Sequence, residues 1–208
     1  MTKQIDADTL RQWLDGHHPV TVLDIRTDED RAAWAIPASV HINAYEALKR
    51  GEAGALADAP LPTDRPIVTV CNAGQGSRVA ADILAERGLD VMSLTGGMKA
   101  WSVAWNTAPV RLSDASVTVI QVRRTGKGCL SYVAASAAEA AVIDPSLSPD
   151  VYVEIAQTHH WTIRYVIETH VHADHLSRAR SLAERTGATL VLPKQQRVQF
   201  AFTPRVGR

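Results

Sequence analysis

The sequence predicts an α/β chain: a parallel sheet with flanking helices over the first half, followed by a second domain that opens as antiparallel sheet. Two observations carry this reading. Up to residue 105, β-branched runs alternate with segments of helical apolar period, the order that crossover connections require. Beyond residue 113, three short strand-like runs follow one another with no helical segment between them, which is the pattern of a meander.

Taken in order, Leu10, Trp13 and Leu14 mark an amphipathic helix entered after Asp6 or Asp8, and the run from Val20 to Ile25 is a β-branched strand. Ile67 to Val70 is a second buried strand that ends at Cys71. Ser77 is expected to cap the helix that follows, whose apolar positions Val79, Ala80, Ile83 and Leu84 keep helical spacing up to a stop at Gly88. Val91 to Leu94 returns as a strand, and Gly96-Gly97 turns into a helix bearing Trp101 and Trp105. The polar, proline-bearing stretch from Asn106 to Ser113 then breaks the pattern. Val117 to Val122, Leu130 to Ala134 and Ala140 to Asp144 are successive short strands. A helix is expected from about Pro149 to His159, and the strand Ile163 to Ile167 runs straight into Glu168-Thr169-His170. These breaks divide the chain into a domain over residues 1–108, a linker over 109–115 and a second domain over 116–208.

The 208 residues are 46% apolar and 21% charged, ordinary values for a globular chain with a sizeable core. Residues 1–108 hold ten Lys and Arg against fourteen Asp and Glu, and residues 109–208 hold twelve against eight. Neither half has the basic excess of a nucleic-acid binder. No apolar run suited to a signal peptide follows Met1, and no stretch of about eighteen apolar residues offers a membrane span. The expectation is a cytoplasmic protein with neither membrane nor nucleic acid as partner. Two cysteines are too few for a disulfide framework. Cys129, in an apolar-leaning run, is read as a packed thiol.

Cys71 is different. A strand ends at Cys71-Asn72-Ala73-Gly74-Gln75-Gly76-Ser77 and a helix begins. So short a loop turns successive backbone N–H groups inward, and the helix N-terminus adds partial positive charge. Both stabilise a thiolate and make Cys71 a competent nucleophile.

This stretch resembles the active-site loop of rhodanese domains. Val22-Leu23-Asp24-Ile25-Arg26 resembles the family's first strand signature, and Leu94-Thr95-Gly96-Gly97-Met98-Lys99-Ala100-Trp101 resembles its late Gly-Gly-x-x-Ala-Trp segment. The resemblance covers about residues 1–108, with its three motifs in the family's order. It implies a sulfurtransferase in which the Cys71 thiolate takes up sulfane sulfur as a persulfide, cradled by Asn72, Ala73, Gly74, Gln75, Gly76, Ser77 and Arg78. Asp24 and Arg26 would brace the loop, and this step needs no cofactor. Many thiosulfate-using members carry a basic residue directly after the cysteine and another near the loop end. Asn72 and Gly76 stand there, so a dianionic donor is expected to bind weakly. A phosphatase of the same fold needs an arginine six residues after the cysteine to grip phosphate; position 77 is serine.

A second cluster, His170-Val171-His172-Ala173-Asp174-His175, places three imidazoles and a carboxylate at the end of a strand, which is metal-ligand composition. In an extended segment His170 and His172 point to the same side, so one ion can reach both. The motif resembles that of the metallo-β-lactamase fold, and Glu168 to Leu176 looks closest to its persulfide dioxygenase and glyoxalase II branch. That resemblance implies a partial metallo-β-lactamase-fold αβ/βα domain after the rhodanese-like parallel sheet. His170, His172, Asp174 and His175 would be ligands for Fe(II) or Zn(II), with Asp144 a nearby structural carboxylate. The family's further histidine, aspartate and histidine have no counterpart after His175, so the site is expected to be incomplete and weakly metal-binding. Self-association through exposed sheet surface is also expected.

The reading that results is a sulfurtransferase moving sulfane sulfur from thiosulfate or a persulfide, such as glutathione persulfide, to a thiol acceptor. The alternatives are a metal-dependent persulfide dioxygenase or thioester hydrolase, if missing ligands are supplied, and a truncated, non-catalytic binding module.

Overall fold

A computed structural model of the chain describes residues 2–172, 177–194 and 200–205. The chain forms two compact units, Met1–Ala104 and Trp105–Arg208.

The first unit runs β1 (Lys3–Ile5), α1 (Ala7–Asp15), β2 (Thr21–Asp24), α2 (Asp28–Ala33), β3 (Val40–His41), α3 (Tyr45–Lys49), a short 3-10 turn (Ala53–Leu56), β4 (Ile67–Val70), α4 (Gln75–Glu86), β5 (Val91–Leu94) and α5 (Gly97–Trp101). Its five strands are parallel, in the order β1-β5-β4-β2-β3. All four residues of β4 are buried, because a parallel sheet with helices on both faces leaves neither side to water. Leu23, Ile67 and Val91 pack on one face with Ala80, Ala81 and Leu84 of α4. Val22, Val68 and Val70 pack on the other with Leu10 of α1 and Met98 and Trp101 of α5.

Three details differ from expectation. α4 starts at Gln75 behind Gly74, whose φ of 91° lets the chain turn sharply, so Ser77 is a buried first-turn residue and not the cap. Its buried stripe is Ala80, Ala81 and Leu84, while Val79 faces out. α5 ends at Trp101, and Trp105 packs instead against the core of the second unit.

The second unit is a seven-stranded sheet, β6 (Asn106–Val110), β7 (Val117–Arg124), β8 (Cys129–Ser136), β9 (Glu139–Ile143), β10 (Thr162–Ile167), β11 (Thr189–Pro193) and β12 (Thr203–Arg205), with α6 (Pro149–Thr158) and α7 (Ala179–Thr186). Strands β6 to β9 form an antiparallel meander, and β9 to β12 are parallel. One sheet face, with Val133, Val142, Ile163 and Val166, is buried against Tyr152 and Ile155 of α6 and Leu182 of α7. The stretch expected to be a linker begins in strand, since Pro109 and Val110 pair with Ile120 and Val119. β6 and β12 are the outermost described strands and each carries a proline, Pro109 and Pro204, residues that edges tolerate because one side needs no ladder hydrogen bond.

Candidate functional site

In the first unit the cysteine loop is held from below by α5. Met98 N–H donates to the Cys71 carbonyl at 2.8 Å and Lys99 N–H to the Asn72 carbonyl at 3.0 Å. The free amides of the α5 N-terminus thus accept the loop as their cap. This closeness needs glycine: a Cβ on Gly97, at φ 55°, would stand 2.1 Å from the Cys71 carbonyl oxygen. With its carbonyls drawn toward α5, the loop curls so that Gly74 N–H donates to Cys71 Sγ at 3.1 Å. The Ser77 hydroxyl lies 3.5 Å from the same sulfur and shares a 2.9 Å hydrogen bond with Ser93. Both serines are buried, as is Cys71 at 2% exposure. The structure therefore gathers Cys71, Gly74 and Ser77 on one sulfur. Asn72, Ala73, Gln75 and Arg78 are exposed around it, and Gly76 is half-buried.

Asp24 and Arg26 sit beside this loop at the end of β2. Arg26 Nε donates to Asp24 Oδ1 at 2.9 Å and its terminal nitrogen to Oδ2 at 2.7 Å, with both side chains almost fully buried. The same guanidinium reaches the Trp34 carbonyl at 2.8 Å. Burial pushes the Asp24 pKa up, but hydrogen bonds from Arg26 and the charges of Arg26 and Arg31 outweigh it and hold the carboxyl below its ordinary value. Neither residue touches Cys71 in these contacts. They fix the turn that carries Ile25, whose N–H donates to the Val70 carbonyl at 3.0 Å, and that leads into α2. From α2, Asp30 accepts a 2.7 Å hydrogen bond from the Asn72 side chain. Sequence reasoning missed Asp30 and Ser93, since neither lies in a motif.

Residues 6–104 match the rhodanese-like domain model. A sulfurtransferase of Allochromatium vinosum is 30% identical over 103 residues, 49% of this chain and 90% of that protein. This chain belongs to the rhodanese family. A second rhodanese-side relative, thiosulfate sulfurtransferase GlpE of Pseudoalteromonas translucida, is 35% identical over 88 residues, 42% of this chain and 77% of the relative.

Beyond the rhodanese unit, residues 124–203 match the metallo-beta-lactamase superfamily model. A hydroxyacylglutathione hydrolase of Anaeromyxobacter dehalogenans is 35% identical over 69 residues, 33% of this chain. The match spans only 27% of that hydrolase's own length.

In this unit Asp144, His170 and His172 converge at the C-terminal ends of β9 and β10, with ligand atoms all within 4.8 Å of one another. The ends are locked together, as Asp144 N–H donates to the Ile167 carbonyl and Glu168 N–H to that of Val191. Asp144 receives Thr169 N–H at 2.7 Å and the Thr169 hydroxyl at 2.6 Å. Having donated its proton to the carboxylate, that hydroxyl accepts from His170 Nδ1 at 2.8 Å, which leaves His170 Nε2 with the lone pair. His172 Nε2 hydrogen-bonds Asp144 at 3.2 Å and lies 2.7 Å from Glu168. Two imidazoles and a carboxylate gathered this closely are a donor set that fits a divalent metal. Asp174 and His175 lie outside the described residues. Glu168, buried and bonded to the Ser177 hydroxyl, stands beside His172 as well. Among the described residues no helix is long and apolar enough to cross a membrane.

Proposed function

We propose that the chain is a sulfurtransferase that carries sulfane sulfur on Cys71 from thiosulfate or a persulfide to a thiol acceptor. The observation that carries this is the Gly74 amide aimed at Cys71 Sγ from a loop whose carbonyls are turned away into α5. A donated hydrogen bond favours the ionised sulfur and then shelters the atom added to it.

In the first half-reaction the Cys71 thiolate attacks the terminal sulfur of the donor. The Sγ–S bond forms, the donor's own bond to that sulfur breaks, and its electron pair leaves with sulfite or a thiolate. In the second, an acceptor thiolate attacks the outer sulfur of the Cys71 persulfide, and Sγ departs as thiolate. Because Cys71 is 2% exposed, a narrow sulfur terminus is suited to reach it and a bulky group is not. The Ser77 hydroxyl can donate to the thiolate while accepting from Ser93.

Intact mass after exposure to a sulfane donor tests this reading. A gain of about one sulfur atom that vanishes in Cys71→Ser supports it; an unchanged mass with every donor refutes it.

A second activity is favoured by the Asp144, His170 and His172 cluster. A bound Fe(II) or Zn(II) would polarise oxygen or water there, and the fusion would then couple sulfur transfer to persulfide oxygenation or thioester hydrolysis. His170 and His172 would hold the ion, and Asp144 would fix both rings through Thr169 and directly. Iron-dependent oxygen consumption with a persulfide, absent in His170→Ala, tests it.

A further inference from the structure

We infer that Asp30 is a positioning residue for sulfur transfer: through Asn72 it holds the cysteine loop in the curl that keeps the Gly74 amide on Cys71 Sγ. The inference rests on the sulfur-transfer reading of Cys71 and adds to that site a residue from outside the loop.

Asn72 follows the nucleophile directly and is gripped twice. Its carbonyl accepts from Lys99 N–H at 3.0 Å, and its side-chain amide donates to the Asp30 carboxylate at 2.7 Å. The first grip fixes the height of the loop over α5, and the second fixes its rotation about that contact. Gly74 itself is packed closely, since a Cβ there would stand 2.9 Å from Gly96 N, so its Cα stays in place. What can turn is the peptide plane ahead of it. Gly74 sits at a φ of 91°, where a glycine meets little steric resistance to such a turn, and Asn72 and Ala73 before it are exposed. A turn of that plane takes the N–H away from Sγ, which it reaches at 3.1 Å.

Asp30 is firmly held for this task although α2 buries no side chain. The Thr27 hydroxyl accepts from Asp30 N–H at 3.3 Å and caps the helix, which sets where the carboxylate points. At the other end of α2, Arg26 donates to the Trp34 carbonyl at 2.8 Å. The buried Asp24–Arg26 pair is thereby connected to the cysteine loop through the helix.

Charge alone predicts the opposite sign. The Asp30 carboxylate repels an anionic donor, while Arg78 on α4 and Lys99 on α5, both exposed, attract one. On that basis removing Asp30 speeds loading. If the hydrogen bond to Asn72 matters more, removing Asp30 slows loading despite the charge.

The test follows loading of Cys71 in the full chain by quenched intact mass, with 2-hydroxyethyl persulfide over a range of concentrations. Exchange of the Gly74 amide is read beside it from proton–nitrogen correlation spectra. Asp30→Ala is expected to slow saturated loading by about fivefold, the scale of one net hydrogen bond. The half-saturating donor concentration should stay in place, and Gly74 N–H should exchange faster. Asp30→Asn, which keeps an oxygen facing Asn72, should recover most of the loss. Asn72→Asp sets two carboxylates against each other and should load slowly. Combined with Asp30→Asn, which restores the bond in the reverse direction at the wild-type net charge, it should load fast again. Loading that quickens or stays level in Asp30→Ala, an unmoved Gly74 exchange rate, or a double variant no faster than Asn72→Asp overturns the inference while sulfur transfer stands. Loading in neither wild type nor variants overturns both.

Discussion

Gly97 and Cys71 are in backbone contact so close that the loop and the helix beneath it are one structural piece. The Cβ that any other residue would bring to position 97 falls 2.1 Å from the Cys71 carbonyl oxygen and about as near the amides of Ala73 and Gly74 as a clash allows, at 3.0 and 2.9 Å. The Gly-Gly turn ahead of α5 therefore shapes the sulfur site without touching sulfur.

Gly97→Ala is expected to cost more than about 2 kcal/mol of stability, a left-handed alanine plus a backbone collision, and to abolish sulfur loading on Cys71. Gly88→Ala is the matching control. Gly88 also has a positive φ, 84°, but nothing within 4 Å of its added Cβ, so it should lose only about 1 kcal/mol. Urea titration of both variants checks the difference, and equal losses would contradict the contact.

Removing the Asp24 carboxylate leaves Arg26 charged and buried with its principal partner gone. Asp24→Asn should therefore destabilise the first unit by about 3 kcal/mol or more near neutral pH. The carboxyl lies below its ordinary pKa in the folded chain, so the unfolded chain takes up the proton first. The stability it contributes is present above the ordinary aspartate range and is lost as pH falls through the lowered folded value. Urea midpoints measured downward from pH 7 should show this acid-side loss in the wild type and a shallower one in Asp24→Asn.

Ser77→Ala removes a hydroxyl from Cys71 Sγ and strands that of buried Ser93. The expected result is about a tenfold slower loading of Cys71 with about 1 to 2 kcal/mol of lost stability. Ser93→Ala, which leaves Ser77 in place, should cost similar stability and slow loading less. A reversed order of rates would contradict the placement of Ser77 on the sulfur.

In the second unit, His170→Ala and His172→Ala are each expected to remove a metal donor, whereas Asp144→Asn should weaken binding by about 10- to 100-fold without abolishing it. Cobalt(II) absorption during titration of the full chain separates these cases. An Asp144→Asn loss as complete as that of His170→Ala would make the carboxylate a direct ligand.

Tyr152 is buried in α6, and its hydroxyl accepts from Ser146 N–H at 3.0 Å and Leu147 N–H at 3.3 Å while pairing with Ser131 at 2.8 Å. It anchors the turn that follows Asp144. Tyr152→Phe leaves those amides unpaired in the core and should cost about 1 to 3 kcal/mol by thermal or urea unfolding.

Strand β4 could be read residue for residue because a strand buried on both faces has to be a continuous β-branched or apolar run. Short edge elements gave no such signal. β1 buries only Ile5, β3 has two residues, and β6 reads as a proline-bearing break because an edge strand needs neither alternation nor every N–H. Trp105 looked like a continuation of the helix that bears Trp101, since apolar spacing alone does not say which core a residue enters.

The sequence by itself determined the rhodanese unit, the cysteine at a strand end and the imidazole pair at another, because those features depend on residues adjacent along the chain. Tertiary structure alone decided what surrounds them. Asp30 reaches Asn72 across 42 positions, Tyr45 lies on Gly76 and Asp144 meets His172 from 28 positions away. Such pairings arise where parallel strands bring their ends together, and no local pattern of residues encodes that distance.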